Sequence, residues 1–116
     1  MESPIAQVQQ DGSRVIVRMT VSEIDSEELR ALVGELKELM TESEARTFVF
    51  CFSKVEFLPS ACLAMLLMFH QEVKRQDGRV ILLNCQDNVE FLLRLARLDS
   101  LFELAQGDPA DCRDAG

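Results

Sequence analysis

The chain has 116 residues, enough for one domain with its own core, and its 47% hydrophobic and 28% charged residues are ordinary for a globular protein. Its net charge of −8 and isoelectric point near 4.6 set it against phosphate backbones and anionic headgroups, so nucleic acid and membrane surfaces are poor partners. The longest apolar run, Ala61–Phe69, is nine residues, far short of the roughly 20 that a membrane span needs.

Ile5–Gln10 reads as an edge strand, and Asp11-Gly12 marks a hairpin turn after it. In the next strand Val15, Val17 and Met19 alternate with Arg14, Ile16 and Arg18, a half-buried pattern. Asp25-Ser26-Glu27-Glu28 then opens a helix, with Asp25 as the cap and Glu28 completing a capping-box pattern. Leu29, Leu32, Val33, Leu36, Leu39 and Met40 follow at helical spacing, with charged residues on the other face.

Thr47–Phe52 is apolar on both faces, which suits a central strand with helices on each side. Pro59-Ser60 starts a second helix that runs to about Arg75 and stops at Asp77-Gly78. Val80–Leu83 is another buried strand, Asp87-Asn88 begins a third helix to about Arg97, and Leu101–Leu104 forms a short last strand. The fold class is therefore α/β in the order β-β-α-β-α-β-α-β: a mostly parallel sheet with an N-terminal hairpin strand and three main helices. Residues 1–105 form the domain, and 106–116, rich in Asp, Gly and Pro, read as a disordered tail.

Catalytic chemistry finds little to work with. His70 is the single histidine and falls mid-helix, where a helix-face role outweighs a ligand or general-base role. The glycines never cluster into a phosphate loop, and Glu27/Glu28 and Glu42/Glu44 lie in or beside polar helix faces. Cys51, Cys62, Cys85 and Cys112 lack zinc-ligand spacing. Cys51 and Cys85 sit in apolar runs, and all four read as reduced thiols, which implies a cytoplasmic location. MESPIAQVQQ has neither the basic nor the apolar region of a signal peptide. No cofactor, metal or catalytic residue is expected.

The informative segment is Phe57–Leu67. Ser60 lies at or next to a helix N-cap, and two readings stand side by side. It is a capping residue worth about 1 kcal/mol, or it is a switch whose phosphate would add about −1.5 to −2 charges at the positive end of the helix. In the second helix Leu63, Leu66, Leu67 and Val73 make one stripe, while Cys62, Met65, Met68 and Phe69 extend apolar character around the cylinder. In the third, Val89, Leu92, Leu93 and Ala96 make one face and Phe91, Leu95 and Leu98 another. The surplus is docking surface, deeper core or a homodimer seam.

Taken in order, these residues resemble the STAS domain family of bacterial anti-sigma-factor antagonists over roughly Ile5–Leu104. Ser22-Glu23-Ile24-Asp25 is similar to the family's Gly-Glu-Leu-Asp turn, and Phe57-Leu58-Pro59-Ser60-Ala61-Cys62-Leu63-Ala64 to its Phe-Met-Asp-Ser-Ser-Gly-Leu-Gly loop and helix start. Gly78 matches the second glycine of a Gly-Gly pair before the fourth strand, and Leu98–Phe102 resembles the closing Gly-Leu-to-Phe segment. Pro59 stands where the family has Asp, and Ala61 and Cys62 where it has Ser and Gly. The resemblance implies a non-enzymatic protein that binds an anti-sigma factor with kinase activity and loses that partner when Ser60 is phosphorylated. It further implies a partner-binding surface of Glu23, Asp25, Leu58, Pro59, Ser60, Ala61, Cys62, Met65, Met68 and Phe91, admits a phosphatase that reverses the switch, and leaves a homodimer open. Two other classes stay in view. One is an unphosphorylated STAS scaffold or transporter-associated subunit of a lipid-transfer ABC system; the other is a small enzyme or nucleotide binder.

Overall fold

A computed structural model describes residues 3–108. The strands are β1 (Ala6–Asp11), β2 (Arg14–Met19), β3 (Thr47–Cys51), β4 (Arg79–Leu83) and β5 (Glu103–Ala105), and the helices α1 (Ser26–Glu42), α2 (Ser60–Arg75) and α3 (Asp87–Leu95). The order is the one the sequence predicts, with α3 ending two residues before Arg97. The sheet runs β1-β2-β3-β4-β5, with β1 antiparallel to β2 and every later pair parallel.

The hairpin turn sits one residue later than Asp11-Gly12 suggests. Asp11 pairs with Arg14, which leaves Gly12-Ser13 as the loop. Gly12 takes φ +63°, the left-handed conformation that a primed hairpin turn requires at its first position. β2 is also more buried than half, because Ile16 is buried along with Val15, Val17 and Met19.

β3 is buried at every residue as expected, yet helices do not flank it on both sides. One large core joins the inward residues Val17, Phe48, Phe50 and Leu82 to α1, α2 and α3. The other face carries the separate cluster Val49, Ile81 and Leu83, which contains no helical residue. Sheet order explains the difference. The parallel strands are added in one direction only, and right-handed crossovers then deliver every helix to the same face. Register places Arg14, Thr47 and Arg79 in one row of the second face and Ile16, Val49, Ile81 and Glu103 in the next. There Arg79 grips Glu103 with two side-chain hydrogen bonds of 2.9 and 2.6 Å, anchoring the short β5 to β4.

The core centre is aromatic. Phe69 of α2 meets Phe48 and Phe50 edge-on, with ring centroids 5.0 and 6.0 Å apart. The turn after α2 is equally tight. Asp77 takes the left-handed conformation, and a Cβ on buried Gly78 would overlap the Arg46 carbonyl oxygen and sit 2.6 Å from Val73. Gly78 is thus held by close backbone approach. Gly107 hydrogen-bonds Asn84 in both directions, at 2.7 and 2.9 Å, so ordered contacts continue past Ala105. The rest of the expected tail, residues 109–116 with Cys112, lies outside the described residues. No described helix is long and apolar enough to cross a membrane.

His70 lies on the buried face of α2, where its ring is 5.0 Å from Phe102 and its Nδ1 has no hydrogen-bond partner among the described residues. Burial lowers its pKa below 6.5, Lys74 adds to that, and Glu103 opposes it. The folded state therefore favours neutral imidazole. Its contribution to stability is complete above pH 6.5 and is lost as pH falls through that value towards the lower folded pKa. Urea unfolding at pH 7.5 and 5.5 should show a larger acid-induced loss of stability in wild type than in His70→Leu.

Candidate functional site

Two loops at the C-terminal ends of β2 and β3 build the site, the end where parallel sheets place their ligands. The first, residues 20–25, is held from within by Ile24, which is 1% exposed. It ends at Asp25, whose Oδ1 accepts the Glu27 and Glu28 amides at 2.9 and 3.0 Å and so caps α1 as the sequence predicts. The second, residues 52–59, is pinned by fully buried Val55 and by Leu58 at 1% exposure.

Backbone hydrogen bonds join the loops. The amides of Glu56 and Phe57 both donate to the Ser22 carbonyl, at 2.7 and 3.1 Å, and Glu23 forms a parallel bridge with Phe57. Glu23 thereby comes beside Phe57, two residues before Pro59, and Asp25 comes near Cys62, two residues after Ser60. The N-terminus of α3 is tied to the same loop. Gln86 Nε2 donates to the Ser53 carbonyl at 2.8 Å, and Asn88 Nδ2 donates to that of Glu56. Exposed Phe91 lies about one turn further along α3, at the margin of this surface.

Ser60 is the first residue of α2 and not its cap. Pro59 occupies the cap position, and its carbonyl accepts the amides of Cys62 and Leu63 at 2.9 and 3.1 Å. No side chain caps this helix among the described residues, so the amides of Ser60 and Ala61, ahead of those two, receive no side-chain cap. The Ser60 side chain is exposed and makes no hydrogen bond among the described residues. A capping role is therefore excluded, because the hydroxyl stands one position too late.

Two residues expected on the partner-binding surface are corrected. Leu58 and Cys62 are 1% and 0% exposed. Cys62 Sγ donates to the Ile24 carbonyl at 3.5 Å, fastening α2 to the first loop from below. Burial raises its pKa and nearby Asp25 raises it further, so it stays a neutral thiol. Leu58 and Cys62 shape the surface from underneath. Met65 and Met68 are brought elsewhere: they face α1 across a groove with Val33 and Gly34. The buried stripe of α2 is Cys62, Leu66, Phe69 and Val73, leaving Leu63 and Leu67 half-buried where core was expected.

Phe57 is the site residue that sequence reasoning missed. It is 50% exposed beside Glu23, and its place in the motif was the available signal. Exposed Glu23, Asp25 and Glu56 make the surroundings of Ser60 acidic. Cys51, Cys62 and Cys85 are free thiols, with Cys85 pushed up to about 12, first by burial and then by Glu90 and Cys51. No cluster of three metal-ligating side chains occurs among the described residues.

The STAS domain model matches residues 5–107, and the chain belongs to that family. No curated protein matches it. Among solved structures it resembles the anti-sigma factor antagonist SpoIIAA in its unphosphorylated form, with a TM-score of 0.81, 18% identity and coverage of 91% of this chain and 90% of that one. The phosphorylated form of SpoIIAA, a Bacillus cell fate determinant, gives 0.76 and 17% over 91% and 94%. An anti-sigma factor antagonist from Mycobacterium paratuberculosis gives 0.72 and 22% over 96% and 94%. At these identities the likeness is one of fold.

The cap of α1 supports the first loop. Asp25→Ala should cost about 1 kcal/mol in chemical denaturation, and Asp25→Asn only a few tenths.

Proposed function

We propose that this STAS protein is an anti-sigma-factor antagonist of the cytoplasm. It docks on an anti-sigma factor with kinase activity through Glu23, Asp25, Phe57, Pro59, Ser60 and Ala61, with Phe91 at the margin. Phosphorylation of Ser60 releases it, and a phosphatase restores the binding form. In this reading the chain is the substrate of a kinase and catalyses nothing itself.

The observation that carries the proposal is the position of Ser60: exposed, uncommitted to any cap, and on the first turn of an uncapped helix beside the acidic loop. An exposed hydroxyl without an internal duty is free to be modified at no structural cost. A phosphate there sits at the positive end of the α2 dipole, where no side chain caps the helix, so the fold tolerates it. The docking surface does not. Glu23, Asp25 and Glu56 already make it negative, which suits a basic partner, and a phosphate would place about −1.5 to −2 further charges in the contact. A partner packed over Ser60 would have to bury that charge, at a cost of several kcal/mol unless newly paired.

Pro59 fits this reading. It fixes φ at −59° and presets the first turn, so Ser60 is presented in one orientation. A second reading rests on the same residue. No carboxylate stands immediately before Ser60, which favours a scaffold or transporter-associated subunit that binds without phosphorylation.

Affinity capture from the source cells with wild type, Ser60→Ala and Ser60→Asp separates the two. The switch predicts that wild type and Ser60→Ala both retain a kinase-like anti-sigma factor, while Ser60→Asp loses it at least tenfold. Equal capture by all three supports the unphosphorylated scaffold.

A further inference from the structure

We infer that the groove between α1 and α2 is a second docking site, which takes an acidic amphipathic helix from a partner protein. The groove has a volume of about 390 Å³ and is lined by Arg30, Val33, Gly34, Lys37, Met65 and Met68. It lies apart from the Ser60 loop: Met65 and Met68 are about 7.5 and 12 Å further along α2, at the helical rise of about 1.5 Å per residue. The inference does not depend on the phosphorylation reading.

Gly34 carries the case. A glycine in a helix interior is destabilising relative to alanine, because it loses more backbone freedom on folding. Inside a fold that cost is usually explained by a left-handed turn or by close packing. Gly34 has neither: its φ is not positive, and a Cβ built on it meets nothing within 4 Å. Gly78 in the same chain shows the contrast, since a Cβ there would strike backbone. The space over Gly34 opens to solvent between two methionines. A missing side chain there lets the backbone of an incoming element approach α1 closely.

The lining defines that element. Met68 is 64% exposed, a large apolar side chain outside the core, and methionine adapts to the shape of a partner. Arg30 and Lys37 rim the groove, both exposed, and neither forms an ion pair among the described residues. The two cations stand seven residues apart on α1, about 10.5 Å or two turns. A helix with an apolar stripe flanked by carboxylates two turns apart matches both floor and rim. A second copy would bring two basic rims into one interface, so a partner of opposite charge is the better match.

A display library of 16-residue amphipathic helical peptides, selected on the full chain and counter-selected on Gly34→Leu, tests this. Enriched peptides should carry Asp or Glu two turns apart beside Leu or Met. Their binding, read by fluorescence polarisation, should fall at least tenfold in Gly34→Leu and in Arg30→Glu/Lys37→Glu, and stay unchanged in Ser60→Asp. Gly34→Ala should raise the melting temperature while weakening binding, which separates a lost groove from a lost fold. Failure to enrich groove-dependent peptides, enrichment of basic peptides, or self-association through this face overturns the inference. None of these results bears on capture by the Ser60 surface, so the two proposals fail independently.

Discussion

The site depends on one carbonyl. Ser22 accepts the amides of Glu56 and Phe57, and through these two hydrogen bonds the loop after β2 is locked to the loop after β3. Each loop is anchored by buried residues, Ile24 on one side and Val55 and Leu58 on the other, so neither can drift without opening the core. The Cys62 thiol adds a contact to the Ile24 carbonyl from below. A surface of exposed Glu23, Asp25, Phe57 and Ser60 results, backed from beneath by buried side chains.

The one-sided architecture follows from strand order. Because the parallel strands advance in a single direction, all three helices share one face and their N-termini line up at the same end of the sheet as the two loops. That end gathers the start of α1 capped by Asp25, the uncapped start of α2 at Ser60, and the start of α3 tied down by Gln86 and Asn88. The capped and uncapped starts differ in what they can accept. Asp25 has filled the first turn of α1 with its own carboxylate, whereas no side chain occupies that place at the start of α2.

Much of this was legible in the sequence because local signals were redundant. α1 shows a cap, an apolar stripe and a charged face, and all three agree with the structure. β3 was legible as a buried strand but not in its covering, since an apolar run says that both faces are shielded and not by what. The hairpin turn slipped by one residue because Asp-Gly and Gly-Ser both satisfy turn chemistry, and only pairing register selects between them. Ser60 was visible from its motif. Cys62 was misplaced because the inward face of α2 depends on how that helix crosses the sheet, and Leu58 because a loop residue shows no periodicity that would mark it as an anchor. The meeting of Glu23 with Phe57 is a long-range contact that no local pattern encodes. The burial of His70 was hidden for the same reason: its neighbour Phe102 comes from the far edge of the sheet.

The central claim is that residues 22–25 and 56–61 act as one docking surface. Hydrogen–deuterium exchange on the chain, alone and with the partner that affinity capture yields, tests it most directly. The account predicts that amides of both loops and of the first turn of α2 gain protection together, and that the gain disappears when Ser60 is phosphorylated. Protection confined to the second face of the sheet or to the far end of α3, with both loops unchanged, would contradict it.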